Sequence, residues 1–558
     1  MMMKKICLFS CILFISSNIG LFAQGNEIDA YTFSHTGLGG TARSISMGGA
    51  FGSLGGDVSV ISNNPAGLGI YRSSDVSGTL DLSVSKASTN WSGIETGQTK
   101  TRFTPSNFGV ELYFPKSDGK VKNWNLGFSF NRVKNFNRRY RMESDRQSHS
   151  ISSYIASRAS NAYVDNNGNH YGIPENDLMF EKGIYNPFFD NAYLKGHWLP
   201  ILGYDAGMFG NMINVSDDVY HSEFGERTGN NDWKAYSPDR SLLSVAESGA
   251  MDEYNIGFGM NVSDFMFFGA SVSITDIDYK YTSGYEELFS TNSNKDDHLY
   301  LRNWLNSKGT AYSLNLGVIM NLQMLRLGVA YNSPRWFDMT DYFDAHAGTY
   351  VGRYTDNPLL ESVTPESSYS EYKFTSPGKW IFSGSVIIGQ SALISADYEI
   401  MNYNSMKYSM KDDRGRDLYF DTNFDIKDDY TWSHTFKLGT EIKLSPQMAV
   451  RAGYMMQTSP MREHLVNNDY EVLPSGTIPH FTVTSKPINY YTAGFGYRFT
   501  PNLYSDMACV YSYNNSNAYA FSNTYYNEAD YGIQPIASEP AKLTTKTVRL
   551  VVTLGYKF

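Results

Sequence analysis

Short segments in which apolar residues alternate with small or polar ones recur along most of this chain of 558 residues. Alternation with a period of two is typical of a β-strand that has one apolar face. The connections between these segments alternate in length. Each short turn, such as Ser263–Asp264 or Ser445–Pro446, is followed, after one strand, by a long connection. Outer-membrane barrels place short turns in the periplasm and long loops outside, whereas a soluble sandwich has no such asymmetry.

The pattern predicts an all-β fold, a transmembrane antiparallel β-barrel of about 14 strands with both chain termini in the periplasm. The predicted strands span residues 75–86, 103–114, 124–138, 251–262, 265–281, 309–322, 324–333, 375–388, 391–409, 430–444, 447–457, 488–499, 502–514 and 545–558. The long connections are 87–102, 139–250, 282–308, 334–374, 410–429, 458–487 and 515–544. We therefore assign residues 75–558 to the barrel, with 139–250 as its largest outer loop.

The last predicted strand has the clearest periodicity. Every second residue from Val548 to Phe558 is apolar, and most of the residues between them are small, polar or charged. A strand that ends the chain on an aromatic residue resembles the signal by which the barrel-assembly machinery recognises its clients. We expect that machinery as a partner, with Tyr556 and Phe558 as the assembly signal.

Composition is consistent with a wall in lipid. Only 18% of the residues are charged, whereas 15% are aromatic and 48 are glycine. Arg326 and Arg451 alternate with apolar neighbours, so they lie on the opposite face of their strands. Because placing an arginine at the lipid midplane costs roughly 2 to 4 kcal/mol, this face is expected to point into the lumen. A large secreted β-protein has a similar composition, and the asymmetry of the connections favours the barrel.

The first 23 residues predict a signal peptide. Residues 1–5 are short and basic, residues 6–15 are apolar, and Ala23 offers a small residue at the cleavage position. The apolar stretch is shorter than the roughly 20 residues of a membrane-spanning helix. Cleavage leaves Cys509 as the one cysteine of the mature chain, so no intramolecular disulfide is expected. We expect this mature chain in the cell outer membrane.

Residues 24–74 precede the first strand and do not alternate. Their landmarks, in order, are Arg43, Gly48, Gly49, Asp57, Asn64 and Pro65. They predict two brief helices joined by tight turns, with Asp57 as an N-cap and Asn64-Pro65 as a stop. A compact segment of this kind is expected to pack into the lumen as a hatch; the alternative is a periplasmic tail.

With these landmarks the sequence resembles the FadL family of outer-membrane channels for long-chain fatty acids and other hydrophobic compounds. The run from Ala42 to Leu68 is similar to that family's N-terminal hatch, and residues 327–334, 451–454 and 494–499 are similar to its strands. The resemblance implies a 14-stranded barrel, a hatch in the lumen, and exit of the ligand through a break in the wall. It departs from the family in the loop 139–250, which is far longer.

The resemblance implies passive outer-membrane transport of long-chain fatty acids or other hydrophobic small molecules, by a monomer that uses no cofactor. The residues expected to shape the hatch, rather than to bind ligand, are Arg43, Gly48, Gly49, Asp57, Asn64 and Pro65. The ligand-binding residues stay unassigned. Outer-membrane lipids and lipopolysaccharide are the expected surroundings. The rival interpretation is a structural or secretion-associated barrel that binds a partner protein.

In the loop 139–250, residues 152–162 and 198–213 predict helices that cap the barrel mouth. These helices form either a hydrophobic capture surface or a lid that protects the rim. Aspartates crowd the segment from Asp412 to Asp429, which indicates a solvated acidic loop; the alternative is a surface cation site beside lipopolysaccharide. Residues 165–169 indicate a turn, because His170 stands where a calcium loop needs glycine.

Motifs of catalysis are missing from the sequence. It contains no G-x-S-x-G elbow, no H-E-x-x-H pair and no Walker A loop, and its ten histidines are dispersed. We therefore expect no enzymatic activity, no catalytic residue and no resident metal. A net charge of −10 without a basic patch disfavours nucleic acid as a partner.

Overall fold

The structure, a computed structural model, is a closed antiparallel barrel with the N-terminal segment inside it. It describes residues 25–164, 170–181, 184–190, 197–211, 219–227, 233–290, 296–352, 358–365, 368–389, 391–411, 415–473, 475–524 and 536–558. The predicted signal peptide and the segment 165–169 lie outside these residues, as do Asp412 and Asp413 of the acidic loop.

Fourteen strands form the wall within the described residues, as the alternation predicts. They are β1 Asp75–Trp91, β2 Ile94–Pro115, β3 Val121–Asn135, β4 Arg240–Val262, β5 Met266–Phe289, β6 Asp297–Leu322, β7 Leu325–Asn332, β8 Lys379–Ile388, β9 Ala392–Asn402, β10 Trp432–Lys443, β11 Met448–Gln457, β12 Ile488–Arg498, β13 Leu503–Tyr519 and β14 Ala541–Lys557. Five further pieces extend β3, β7, β8, β9 and β12 outward past a break, namely Arg139–Ser144, Trp336–Tyr350, Tyr369–Thr375, Lys407–Ser409 and Phe481–Thr484.

The last strand closes the barrel on the first. β14 pairs with β1 in an unbroken antiparallel register from Asp75 opposite Lys557 to Asn90 opposite Lys542. Closure leaves no free sheet edge at this seam, which a wall in lipid requires. Leu550, Tyr556 and other alternate residues of β14 point outward and are exposed, whereas the inward Val551 is buried. The periodicity of the last strand is thus confirmed.

Exposed apolar side chains form a belt around the outside of the wall. Its members include Leu82, Phe103, Phe128, Ile256, Val272, Leu316, Leu327, Phe382, Ile394, Leu438, Tyr491, Met507 and Leu550. A soluble protein does not expose so large a continuous apolar surface. The belt therefore marks the part of the wall that spans the membrane.

Short turns join the strands at one end of the barrel, as predicted. Ser263 and Asp264 both have positive φ, 57° and 56°, in the three-residue turn between the paired residues Val262 and Met266. Gln323, with φ 64°, makes the next turn at this end. Since short turns face the periplasm in outer-membrane barrels, we call this the periplasmic end and the other the outer end.

The predicted loop 87–102 is wrong. β1 continues to Trp91 and β2 begins at Ile94, with only Ser92 and Gly93 between them. The same holds for much of 282–308 and 334–374, where β5, β6 and the extension of β7 continue as strands. Beyond the lipid the pattern changes: inward residues such as Leu299, Leu301 and Phe343 are apolar and buried under the cap, and outward residues such as Arg302 are polar and exposed. The outward apolar face that marks a strand in lipid is therefore missing there.

Residues 25–74 form α1 Glu27–Ser34, α2 Ala42–Ser46, α3 Val60–Asn63 and a 3-10 helix, Pro65–Ile70. The outer segments contain α4 Ile151–Ser160, α5 Glu175–Leu178, α6 Trp198–Asp205, a 3-10 turn Tyr403–Ser405, α7 Phe420–Asp429 and α8 Glu463–Asn467. Short outer strands occupy Tyr163–Val164, His170–Tyr171, Phe209–Asn211, Tyr220–Ser222, Gly225–Arg227, Trp233–Ala235 and Leu359–Val363. No helix among the described residues combines the length and apolarity needed to cross a membrane.

An apolar cap closes the outer end of the barrel. α4 is buried along its whole length, and α6 buries Trp198 and Leu202 against it and against the wall. The prediction of helices in the two stretches 152–162 and 198–213 is confirmed, although α6 ends at Asp205. These helices and the inner face of the wall form the largest hydrophobic core of the molecule.

Candidate functional site

The segment of residues 25–74, which we call the hatch, lies inside the lumen and contacts most of the wall. Glycines line the wall where the hatch approaches it, and a Cβ on any of them would come within 3.0 Å of a hatch atom. They are Gly109, Gly127, Gly257, Gly259, Gly269, Gly317, Gly328, Gly439, Gly453 and Gly494. Much of the high glycine content of this chain therefore serves the seating of the hatch.

Arg43 links the hatch to the wall by charge. Its Nε donates to Glu441 Oε2 at 3.1 Å, and its Nη1 donates to the Gly56 carbonyl oxygen at 3.2 Å. Glu441 also accepts from Arg451 Nε at 2.6 Å, and Arg451 Nη1 donates to Asp506 Oδ1 at 2.6 Å. This chain of alternating charges crosses β10, β11 and β13, so Arg43 is anchored to a network that the wall already holds.

Gly48 and Gly49 form the turn after α2, with φ of 64° and 74°. A side chain at Gly48 would also meet the backbone of Tyr454 at 2.8 Å, so only glycine fits. The Gly48 amide donates to Thr492 Oγ1 at 3.1 Å, and Thr492 Oγ1 donates to the Ser46 carbonyl oxygen at 2.9 Å. The turn is thereby fixed against β11 and β12.

Asp57 and Asn64 act inside the hatch, in a way the sequence did not predict. α3 begins at Val60 with Ser59 before it, so the N-cap assignment of Asp57 is wrong. Instead, Asp57 accepts from Thr41 Oγ1 at 2.7 Å and from the Ser59 amide at 3.0 Å, which joins the start of α2 to the start of α3. Asn64 Oδ1 accepts from the Ala66 amide at 3.2 Å, so Asn64-Pro65 begins the 3-10 helix as well as ending α3.

Above the hatch lies a cavity of about 330 Å³. Ion pairs line part of it, with Arg132 on Asp252, Arg138 on Glu247 and Arg549 on Asp81. Its apolar lining comes from Tyr31, Val133, Phe136, Ile488 and Tyr490. The cavity thus offers apolar surface beside cations that are already paired with carboxylates. One sign of it in the sequence is Arg549, which lies on the polar face of the last predicted strand.

The wall is broken beside this cavity, between β2 and β3. The two strands pair from Pro115 opposite Asn123 to Asn107 opposite Asn131. Farther out, residues 94–106 of β2 pair with β1 but not with β3. The structure describes all residues of β1 and β3, so this gap in the pairing is a feature of the wall. β3 keeps its pairing with β4 beyond this point, since the Phe136 amide donates to the Gly249 carbonyl oxygen of β4 at 3.2 Å.

Side chains of β2 span the gap where the backbone ladder ends. Arg102 Nη1 donates to Asn135 Oδ1 at 2.5 Å and to the Gly249 carbonyl oxygen at 2.9 Å, and Lys100 Nζ donates to the Glu247 carbonyl oxygen at 2.8 Å. Thr104 and Ser106 line the cavity from one side of the gap, and Asn135 to Arg138 line it from the other. Phe103, between Thr104 and Arg102, faces outward and is 64% exposed. The gap therefore opens at the height of the apolar belt.

The cavity is closed toward the outer end. α1 lies across it, with Phe33 packed against Tyr279 and Phe374, and Tyr31 against Tyr403 and Tyr430. The Tyr430 hydroxyl donates to the Glu27 carbonyl oxygen at 2.9 Å. The first helix of the hatch thus forms part of the outer cap.

Fold and site together define a plugged transmembrane barrel whose lumen is closed at both ends and broken at one side. No protein-family model matches the chain, and no curated protein matches it in sequence. Among solved structures it is similar to the crystal structure of a Pseudomonas aeruginosa FadL homologue, with a TM-score of 0.51, 11% identity, and coverage of 94% of this chain and 100% of that one.

The crystal structure of the P. putida toluene transporter TodX has a TM-score of 0.48 at 13% identity, with coverage of 93% of this chain and 99% of that one. The CymD monoaromatic hydrocarbon channel has a TM-score of 0.45 at 12% identity, with coverage of 94% and 99%. The likeness to the P. aeruginosa structure establishes that this chain has the fold of a FadL-type barrel.

Proposed function

We propose that this protein is an outer-membrane channel that passes hydrophobic small molecules, long-chain fatty acids among them, without an energy source. The observation that carries the proposal is the break between β2 and β3, which lies between the lumen cavity and the apolar belt. A polar solute gains nothing from an exit into lipid, whereas a hydrophobic solute does. The fold shared with a FadL homologue supports the same assignment.

The driving force is the ligand's own partition into lipid, which gains roughly 0.8 kcal/mol for each methylene group buried. A molecule captured at the apolar cap passes α1, occupies the cavity and leaves through the gap. The cavity suits a ligand with an apolar body and one polar end, because apolar and polar side chains share its lining. No step requires bond making or a redox change.

The hatch has two parts under this proposal. The segment around Arg43, Gly48 and Gly49 is fixed to the wall by hydrogen bonds and close packing, so it blocks the periplasmic end. α1 lies across the outer side of the cavity, and its displacement opens the way from the cap.

The belt contacts outer-membrane lipids and lipopolysaccharide, and the barrel-assembly machinery inserts the chain through its last strand.

Uptake in cells tests the proposal. A Gram-negative strain that lacks its own fatty-acid channel receives the wild-type gene, and uptake of radiolabelled oleate is measured. Thr104→Trp fills the cavity side of the gap, and Thr101→Trp on the same strand is the matched control, because Thr101 faces outward and is exposed. We expect uptake with the wild type and with Thr101→Trp, and a loss of about tenfold with Thr104→Trp.

Equal uptake by the two variants would contradict the exit through this gap. Mass spectrometry of solvent extracts from the purified barrel distinguishes the rival function. Bound acyl chains support transport, whereas a co-purified protein partner together with repeated absence of lipid supports a structural or secretion-associated barrel.

A further inference from the structure

Two carboxylates and an imidazole meet at the outer end, beside the start of the hatch. Asp428 and Asp429 end α7, and His464 lies in α8. His464 Nε2 is 2.8 Å from Asp429 Oδ1 and 3.8 Å from Asp428 Oδ2. One ligand atom of each residue lies within 4.8 Å of the other two. Carboxylate oxygen and imidazole nitrogen are ordinary ligands of divalent metals.

A further carboxylate faces this cluster from the hatch. Glu27, the first residue of α1, is 1% exposed, and neither of its carboxylate oxygens has a hydrogen-bond partner among the described residues. α1 packs against α7, and the Tyr430 hydroxyl donates to the Glu27 carbonyl oxygen at 2.9 Å, so Glu27 lies beside the end of α7 that carries the aspartates. A buried carboxylate without a partner is strongly unfavourable, so this position requires a proton or a cation.

The local field attracts a cation for a second reason. Asp428 and Asp429 occupy the C-terminal end of α7, where the free carbonyl groups of a helix are already negative. Asp425 lies one turn earlier and is half-buried. Among the described residues, Arg462 is the nearest formal cation, and its Nη1 is 3.8 Å from an oxygen of the exposed Asp428. The sequence-based expectation of a solvated loop is therefore wrong for Asp429, which is 8% exposed.

We propose that Glu27, Asp428, Asp429 and His464 bind one divalent transition-metal ion of the Zn²⁺ type. Imidazole suits such ions, whereas Ca²⁺ and Mg²⁺ prefer sites made of oxygen alone. Zinc takes four ligands at roughly 2.0 to 2.2 Å, so the ligand atoms of Asp428, Asp429 and His464 must approach one another by on the order of 1 Å, and the Glu27 carboxylate must move in beside them. Asp428 has the freedom to do so, since 58% of its side chain is exposed.

The ion would join three segments that are far apart in sequence. Glu27 belongs to the hatch, the aspartates to the segment before β10, and His464 to the segment between β11 and β12. Because α1 closes the outer side of the cavity, bound metal would hold it in the closed position. The site itself does not rest on the proposed function, since it would bind metal whatever the lumen carries.

Zinc titration of the purified full-length protein in detergent tests the site. The protein is first stripped with a chelator and then titrated with ZnCl₂ in a calorimeter, with the bound metal counted after gel filtration. We expect one Zn²⁺ per chain, and a loss of affinity of at least about tenfold in Glu27→Gln and in the double variant Asp429→Asn, His464→Gln. The matched control is Asp276→Asn, His298→Gln, which changes the same residue types at an exposed and a half-buried position of the wall and leaves affinity unchanged.

Three results would overturn the site: no saturable one-to-one binding in the wild type, a double variant that binds like its control, or Glu27→Gln that binds like the wild type. Far-UV circular dichroism establishes that each variant is folded. If the double variant does not fold, the single variant Glu27→Gln decides. Oleate uptake by the same variants is measured separately, so failure of the metal site and failure of transport are distinguishable.

Discussion

Arg43 Nε lies 3.1 Å from Glu441 Oε2, and this pair ties the hatch to a charge network in the wall. Arg43→Ala removes the hatch residue from that network, while Glu441 keeps its contact with Arg451 at 2.6 Å. Since the remaining carboxylate stays paired, we expect a moderate loss of about 1 to 3 kcal/mol in the free energy of unfolding. Denaturant titration of the barrel in lipid vesicles measures it.

Hydrogen exchange of the same variant locates the effect. Faster exchange is expected in residues 41–57 of the hatch, with the strands unchanged. Uniform acceleration over the whole barrel would contradict a local anchor.

The wall glycines give a prediction about packing. A Cβ at Gly453 would collide with the backbone of Met47 and Gly48, so Gly453→Ala is expected to cost about 1 to 3 kcal/mol through overpacking. Gly284 on β5 has open space where a Cβ would lie, and Gly284→Ala is the control. Thermal unfolding of the two variants is compared, and equal melting temperatures would show that the hatch is not seated on this wall.

We expect the stability of the outer cap to depend on pH. Burial lowers the pKa of His480 to about 4, although its hydrogen bond to the Ala520 carbonyl oxygen opposes the shift. Because the folded state holds the neutral ring, stability is full above the unfolded pKa of about 6.5 and is lost as pH falls toward 4. His197, whose pKa burial lowers to about 3, acts in the same direction.

His480→Asn keeps a donor for Ala520 and removes the titration. Hydrogen exchange of the cap at pH 7 and pH 5 is the measurement: the wild type is expected to lose protection at pH 5, and the variant is expected to lose less. Identical loss in both proteins would assign the pH dependence to other groups.

We expect a substitution of the last aromatic residue to impair assembly of the barrel. Tyr556 and Phe558 are exposed on the lipid side of β14, so they are free for recognition before the barrel closes on β1. Phe558→Ala is expected to lower the amount of folded barrel in the outer membrane, with unfolded chain accumulating in the periplasm. Leu554→Ala, another exposed residue of the same face, is the control. Heat-dependent migration on gels measures the folded fraction, and equal fractions would contradict a terminal signal.

The strands within lipid could be predicted from the sequence because lipid forces strict alternation, as in β14 from Val548 to Phe558. Beyond the lipid that constraint ends, which is why the continuation of β1 to Trp91 was missed. Local signals placed Arg43, Gly48 and Gly49 in the hatch. The partners of these residues, such as Glu441 and Thr492, lie hundreds of positions away in sequence and depend on barrel closure.

The break between β2 and β3 was beyond sequence analysis for a related reason. Both strands show ordinary strand patterns up to Asn135, and the ladder between them ends at Asn107 opposite Asn131 while β3 stays paired with β4. Likewise, nothing in the spacing of Glu27 and Asp429 indicates that the fold brings them together.

Photo-cross-linking of a bound fatty acid tests the central claim most directly. The purified barrel is loaded with a palmitate that carries a diazirine near its methyl end, irradiated, digested and mapped by mass spectrometry. If the hydrophobic ligand leaves through the wall, adducts concentrate on residues 104–106 and 135–138, which border the gap on its cavity side. Adducts restricted to the part of the belt far from the gap, such as Ile394 and Leu438, would contradict the account.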